Sequence, residues 1–368
     1  MSIKNIKESE TLKLGQQIKQ LQAQGKSVIN FAVGELDFET PNEIKEATIT
    51  ALNHNKTRYS STAGELELRE TICKKLKREN ALSYTPENIL VSNGSKQILY
   101  SLFQVLCNPG DEVIIPTPYW ISFSEQAKLA GAKPVFVPTK DHQLDVEKLK
   151  KAMNKKTKAI VLNSPNNPSG AVYKDIKAVA ETAADKGITI ISDEAYELIT
   201  YDNIKYTSTA ALSEHIKKHT ITVHSFSKIF SMTGFRLGYA AAEKEIITQL
   251  SKLQSHMTSN PCTFAQYGAI AAYELNKTFI QKRVSILEKR RNLAYKECTK
   301  LFDCVKPQGA FFLFPKVKNS EKFANNLLQK GVAVIPGEAF GAPHHIRISY
   351  ACSEDDIKEG FERIAKVR

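Results

Sequence analysis

Apolar residues along this chain change period repeatedly. The stretch "TPNEIKEATITALNHN" carries them at helical spacing, opening with a T-x-x-E capping box from Thr40 to Glu43 and Pro41 at the first helical position. A helix is expected to start there. The same periodicity predicts helices near 65–80, 95–106, 174–186 and 264–276. Between them lie short apolar runs, "EVIIP", "KPVFV", "KAIVLN", "ITIIS" and "TITVHS", which read as strands. Strands alternating with helices predict a mainly parallel α/β sheet covered on both faces. A long helical stretch near 279–300 is followed by "GAFFLFPKV", "GVAVIPG", "HIRISYA" and a closing helix, the pattern of a smaller α+β domain.

Length agrees with that division, since 368 residues suit two domains better than one. No internal repeat or low-complexity linker separates them. With 42% hydrophobic and 24% charged residues the composition is that of a packed globular protein. No apolar run approaches the 18 or so residues of a membrane span, and "MSIKNIKESE" resembles neither a signal peptide nor a presequence, so a cytoplasmic location with no membrane partner is expected. The formal charge of +12 raises the question of nucleic acid. However, the lysines of "LKKAMNKKTKA" lack the interleaved aromatics that stack on bases, so a solvated basic face is the expectation. The six cysteines (Cys73, Cys107, Cys262, Cys298, Cys304, Cys352) form no C-x-x-C pair and no histidine cluster stands at metal spacing; reduced, mostly buried thiols and no metal are expected.

In open α/β sheets ligands sit beyond the carboxyl ends of the strands. Three such ends are informative. "KAIVLN" runs into "SPNNPSG", "ITIIS" into "DEAY" and "TITVH" into "SFSK", which gathers an amide (Asn167), a carboxylate with a phenol (Asp193, Tyr196) and an amine (Lys228) at one edge. Each alone has an ordinary explanation as a turn residue, a helix cap or a surface lysine. Together they match the needs of pyridoxal phosphate. That cofactor takes a lysine for a Schiff base, a carboxylate at its ring nitrogen, hydrogen bonds to its phenolic oxygen and a phosphate cradle. Asp193 suits the ring nitrogen, Asn167 and Tyr196 the phenolic oxygen, and Ser225, Ser227 and Arg236 the phosphate. In "VSNGSKQILYSLFQVL" a glycine turn leads into an amphipathic helix, so the backbone N–H groups of Gly94, Ser95 and Lys96 offer the second half of the cradle.

These segments, "SPNNPSG", "SDEAY", "SFSKIFSMTGFRLGY" and "RISYA", resemble the fold type I, class I aminotransferases. The likeness covers nearly the whole chain. It extends to "FAVGELDFETP", "RYSSTAG", "NGSKQILY" and "PTPYW", which are similar to the prokaryotic aspartate aminotransferase branch. The resemblance implies a mixed, mainly parallel seven-stranded sheet sandwiched by helices in a large domain (40–280). It also implies a small domain built from 1–39 and 281–368, and a homodimer with shared active sites. By the same resemblance Lys228 bonds the cofactor, Asp193 pairs with the ring nitrogen, Trp120 stacks on the ring and Tyr59 reaches the phosphate of the neighbouring subunit.

For substrate, Arg347 resembles the arginine that grips the α-carboxylate, Gly34 the glycine that lets backbone approach the substrate, and Lys96 the lysine that pairs with the distal carboxylate of a dicarboxylic acid. Trp120 and Asn167 border the same substrate. The implied reaction moves the amino group of L-aspartate to 2-oxoglutarate in two half-reactions, with Lys228 as general base. The rivals on the same scaffold are an aromatic, prephenate or kynurenine aminotransferase and a C–S β-lyase. Two departures stand out: Leu36 replaces the usual proline, and the turn reads "NGSK" where a second glycine is common. His344 and His345, beside Arg347, read as turn residues.

Overall fold

The computed structural model describes residue 6 and residues 10–367. Most of "MSIKNIKESE", read above for a leader, lies outside the described residues. β1 (Ile29–Asn30) precedes the large sheet, which comprises β2 (Ile89–Ser92), β3 (Glu112–Thr117), β4 (Lys133–Pro138), β5 (Thr157–Asn163), β6 (Thr189–Asp193), β7 (Thr220–Ser225) and β8 (Gly238–Ala241). After it come β9 (Phe312–Leu313), β10 (Val332–Ala333), β11 (Ile335–Pro336) and β12 (Ile346–Ser349). The large sheet has the order β2-β8-β7-β6-β5-β3-β4, and β8 alone runs against its neighbours. The mixed, mainly parallel seven-stranded sheet is as expected.

Alternation along the strands explains why both faces are covered. Val113 and Ile115 of β3, Val161 of β5 and Ile191 of β6 join one core with Leu99, Leu102 and Phe103 of the helix Ser95–Leu106. Ile114, Ile160, Leu162 and Ile190, the intervening residues, join the opposite core with Val179 and Ala183 of the helix Ile176–Asp185. Burying each such side chain contributes roughly 1.5–3 kcal/mol. Two-sided burial is why these strands read as continuous apolar runs.

The remaining strands form two small units. β1 pairs in parallel with β10, and β12 lies between β11 and β9 in an antiparallel trio. β1 thus ties an early segment of the chain to a late one. The position expected to divide the two domains, near 280, falls inside the continuous helix Lys277–Thr299.

Two expectations need correction. The helix near 40 begins at Asn42 with Pro41 before it and no side-chain cap; the Thr40 hydroxyl instead donates to the Ser231 carbonyl at 2.6 Å. The threonine ties the segment after Gly34 to the loop after Lys228. Of the six cysteines only Cys107 and Cys298 are buried, the other four being half-buried, and all six are free thiols.

Candidate active site

Strand register builds the site. Asn163 at the end of β5 pairs with Asp193 at the end of β6, and Asp193 in turn lies beside Val223 of β7, two residues before Ser225. Three polar strand ends therefore open side by side onto one cavity of about 290 Å³. Gly34, Ser95, Lys96, Trp120, Asn167, Asp193, Tyr196, Ser225, Ser227, Lys228, Arg236 and Arg347 all border it. Gly94 and Tyr59 are the expected site residues that do not. Gly94 sits just outside, before Ser95, and Tyr59 is 93% exposed at the surface of this single chain.

At the floor, Asp193 is buried and accepts a hydrogen bond from the Ala195 amide at 3.2 Å, while the Asn163 amide holds the Asp193 carbonyl at 3.1 Å. Burial pushes its carboxyl up to about 6, against the pull of the Ala195 amide, Lys228 and His224. Such a carboxylate lacks a cationic partner in contact. Lys228 donates to the Gly34 carbonyl at 2.7 Å, with its ammonium 5.7 Å from the Tyr196 ring centre. Burial first, then Arg347, brings its amine down to about 8, although Asp193 and Glu35 pull the other way. A lysine in that state is a usable base and nucleophile near neutral pH.

The wall opposite carries Arg347, only 3% exposed. Its Nη1 donates to Asn167 Oδ1 at 3.1 Å and its Nη2 to the Ala32 carbonyl at 2.8 Å, so the fork is fixed before any ligand arrives. Phe312 and Phe340 lie 4.4 and 5.2 Å from the guanidinium carbon. Nε is buried with no partner. An uncompensated buried guanidinium is costly, and an anion would relieve it. Lys96 surfaces at the mouth but leans over Trp120, its ammonium 5.1 Å from the ring centre; desolvation and the nearby Arg236 lower its pKa.

The phosphate side is read from Gly94 and Arg236. Gly94 has φ +86°, and a Cβ there would stand 2.6 Å from Arg236 Nη2, so glycine lets the guanidinium lie across the helix start. Arg236 itself is held in the left-handed region (φ +55°) and donates to the Thr233 carbonyl at 2.9 Å. The helix beginning at Ser95 presents the Ser95 and Lys96 amides, whereas the expected Gly94 amide is taken by the Ser92 carbonyl at 2.7 Å and the Gln97 amide by the Gly94 carbonyl at 3.1 Å; Ser225 and Ser227 bring hydroxyls from β7 and the loop after it. A guanidinium, helix amides and two hydroxyls lining one cavity fit a phosphate. A buried carboxylate and a lysine on the same cavity fit a pyridine ring with an aldehyde.

Sequence reading missed Asn163, Ser122, Ala195 and Thr233, which also border the cavity. Asn163 had a signal, being a polar residue that closes an apolar strand. Thr233, whose hydroxyl donates to Glu35 at 2.7 Å, had none, because a loop places it. His344 lies in a turn, as expected, and its Nδ1 donates to the Lys318 carbonyl; His345 instead bridges Lys316 and faces a second cleft.

A doubly wound sheet with lysine, carboxylate and phosphate cradle at its carboxyl edge defines the pyridoxal-phosphate enzymes of fold type I. The chain belongs to the aminotransferase class I and II family, whose description it matches over residues 26–364. It is 45% identical to the "Probable aspartate/prephenate aminotransferase" of Aquifex aeolicus, over 99% of this chain and 97% of that one. It is 43% identical to the aspartate aminotransferase of Bacillus subtilis, over 97% of this chain and 95% of that one. The solved structure of Thermus thermophilus aspartate aminotransferase with maleate superposes with a TM-score of 0.95 at 38% identity, covering 100% of this chain and 99% of that one.

Proposed function

We propose that this pyridoxal-phosphate-dependent aminotransferase takes its amino group from L-aspartate and delivers it to 2-oxoglutarate, giving oxaloacetate and L-glutamate. The observation that carries the reading is the presence of two cations on one cavity, the buried, fixed Arg347 fork and the exposed Lys96 over Trp120. A dicarboxylic amino acid spans such a pair, the α-carboxylate on Arg347 and the distal one on Lys96. A relative of 38% identity was solved with maleate, itself a four-carbon dicarboxylate.

Bound pyridoxal phosphate supplies an electron-withdrawing ring that accepts the electron pair left when the substrate's α-C–H bond breaks. The chain's own residues do the rest. Asp193 would hold the ring nitrogen, Asn167 and Tyr196 the phenolic oxygen, and Ser95, Lys96, Ser225, Ser227 and Arg236 the phosphate, with Gly94 leaving room for Arg236. Trp120 covers one face of the ring. Lys228 would lift the substrate's α-proton at Nζ, which requires the neutral amine that its lowered pKa provides. Gly34, whose carbonyl already receives Lys228, brings backbone close enough to exclude water from that proton path.

Tyr59, fully at the surface here, is assigned to the phosphate of a second copy, so the working unit is a homodimer. The division into domains 40–280 and 1–39 with 281–368 belongs to the same reading. Among the described residues no helix is long and apolar enough to cross a membrane, and the six free thiols suit a reducing cytoplasm.

A second reading, prephenate as amino acceptor or its amination product as donor, is favoured by the name of the 45% identical relative. Prephenate too carries two carboxylates, so the same Arg347 and Lys96 pair would serve. The deciding experiment adds L-aspartate to the purified protein without any oxo acid and follows the absorption spectrum. Conversion of the lysine-bound cofactor band to that of the aminated cofactor supports the proposal. A band that ignores aspartate removes the donor assignment. A Lys96→Ala variant should then lose about tenfold in kcat/KM for aspartate, the scale of one exposed charge contact, with little change for alanine.

A further inference from the structure

Beneath Asp193, on the side away from the cavity, lies a group of charged residues that the proposed reaction does not use. Lys75 is 1% exposed, although it belongs to a helix, Leu66–Asn80, whose lysines and glutamates mostly face solvent. Its ammonium meets the Glu197 carboxylate, which also receives the Asn80 amide at 2.6 Å. His224, 2% exposed in β7, places Nδ1 3.1 Å from Glu197 Oε1 and stacks on Tyr239 with ring centres 4.9 Å apart. Burial raises the Glu197 carboxyl, but His224 and Lys75 together outweigh it and hold it well below the usual carboxylate range. Glu197 is therefore an anion, an acceptor only, and His224 Nδ1 must be the donor.

That fixes one end of the imidazole. The other end, Nε2, points at Glu194 Oε2 at 3.7 Å, and both atoms are buried without a hydrogen-bond partner. The second oxygen of Glu194 is fully used, accepting from Ser192 Oγ at 2.8 Å, Ser208 Oγ at 2.9 Å and the Thr209 amide at 3.1 Å. Two lone pairs facing each other in a dry interior are unfavourable, whereas a single proton held by the pair removes that repulsion and at 3.7 Å leaves a close charge contact. Burial pushes the Glu194 carboxyl upward, which is the direction that favours sharing. These three residues bring ligand-type atoms within 4.8 Å of one another, but Lys75 already supplies a cation on Glu197. A proton accounts for the geometry without a metal ion.

The pair stands directly behind the site. Glu194 follows Asp193 in the chain, and His224 precedes Ser225, so each is one residue from a group that faces the cofactor. We propose that Glu194 and His224 share a single proton and act as a positioning pair, clamping the ends of β6 and β7 together and holding Asp193 ready for the cofactor ring. This rests on the reading of Asp193 as the ring anchor. The groups facing the pair are Glu197 and Lys75, the phenols of Tyr206 and Tyr239, and Asp193 itself, with Lys228 beyond. The two members act on Asp193 with opposite sign. His224 favours its charged form and Glu194 opposes it.

Opposite signs give a test that structural damage cannot imitate. The full-length chain, freed of cofactor, is titrated with pyridoxal phosphate from pH 5 to 9, with quenching of the single tryptophan, Trp120, reporting the dissociation constant. Ionisation of the phosphate is common to every variant and cancels in the differences. His224→Asn keeps a donor toward Glu197 and removes the contact to Glu194. Its midpoint for loss of binding on acidification should move up by about one pH unit, which is about fivefold weaker binding at the wild-type midpoint and about tenfold well below it. Glu194→Gln should move the midpoint down. Shifts of both variants in one direction, or no shift beside a lowered melting temperature, would overturn the proposal. If His224→Asn does not fold, the direction of the Glu194→Gln shift decides alone. Asp193→Asn separates the two readings. Wild-type affinity in that variant refutes the ring-anchor role, whereas its loss beside unmoved His224 and Glu194 variants refutes only the positioning pair.

Discussion

Two cavities of nearly equal size share the segment from Thr117 to Ser122, one of about 290 Å³ over the strand ends and one of about 300 Å³ behind it, lined by Pro118, Asp141, His142, Asp303, Phe314, Lys316 and His345. Volume does not distinguish them. Charge does. In the first, Asp193, Lys228 and Arg347 are all desolvated, each with its pKa displaced and each influencing another. In the second, His142 and His345 are displaced as well, but both toward the neutral form against Phe314, and among the described residues its one pair of opposite charges in contact, Lys316 and Asp303 at 2.8 Å, is exposed to water. Opposite charges gathered out of water on one cavity, and not a displaced group alone, mark where chemistry is prepared.

The comparison is sharpest at Lys228. Replacing it with alanine removes the base and the covalent partner together, and turnover should fall by about 10⁴-fold or more in a steady-state assay, at the upper end for a positioned acid or base. Near-normal turnover would remove the distinction between the cavities. Arg347→Ala is next in size. It deletes a buried fork and leaves Asn167 Oδ1 and the Ala32 carbonyl without their donor, so kcat/KM for aspartate should drop by roughly 10²- to 10³-fold, consistent with the 2–5 kcal/mol cost of breaking a buried charge contact. A change confined to KM would show that the arginine binds ground and transition states alike; an unchanged kcat/KM would show that the carboxylate binds elsewhere.

The central sheet and most of its site were legible in the sequence because one rule served both. Strands buried on two faces are apolar throughout, so the first polar residue after each is conspicuous, and here those residues are Asp193, Ser225 and, unheeded, Asn163. β2 and β8 were not legible from pattern. Each is four residues long, and "GYAA" is poor in β-branched side chains. The capping box failed for a different reason. Thr40 has the local sequence of a cap, but its hydroxyl is taken by a carbonyl 191 positions away. The buried Lys75, and the Glu194, Glu197 and His224 around it, escaped for the same cause, since a charged residue in a helix reads as solvated until a partner from a distant segment is known.

The second cavity makes the smallest prediction. Burial lowers His142 to about 4 from its ordinary 6.5, with Asp141 pulling up and Lys316 down. A histidine depressed in the folded chain is neutral there while its unfolded counterpart takes a proton first as pH falls. Its contribution to stability is therefore complete above pH 6.5 and is lost as pH drops toward about 4. His142→Phe keeps a ring against Phe314, 5.8 Å away in the wild type, and abolishes that titration. Because His142 is partly exposed, the effect should be on the order of 1 kcal/mol, read as a shallower decline of melting temperature between pH 6.5 and 4 with little change above. His345, lowered to about 4 by burial and by His142, would still titrate, so the decline should be reduced and not removed. An unchanged slope would mean that this cleft admits water freely and that its likeness in size to the active cavity has no counterpart in desolvation.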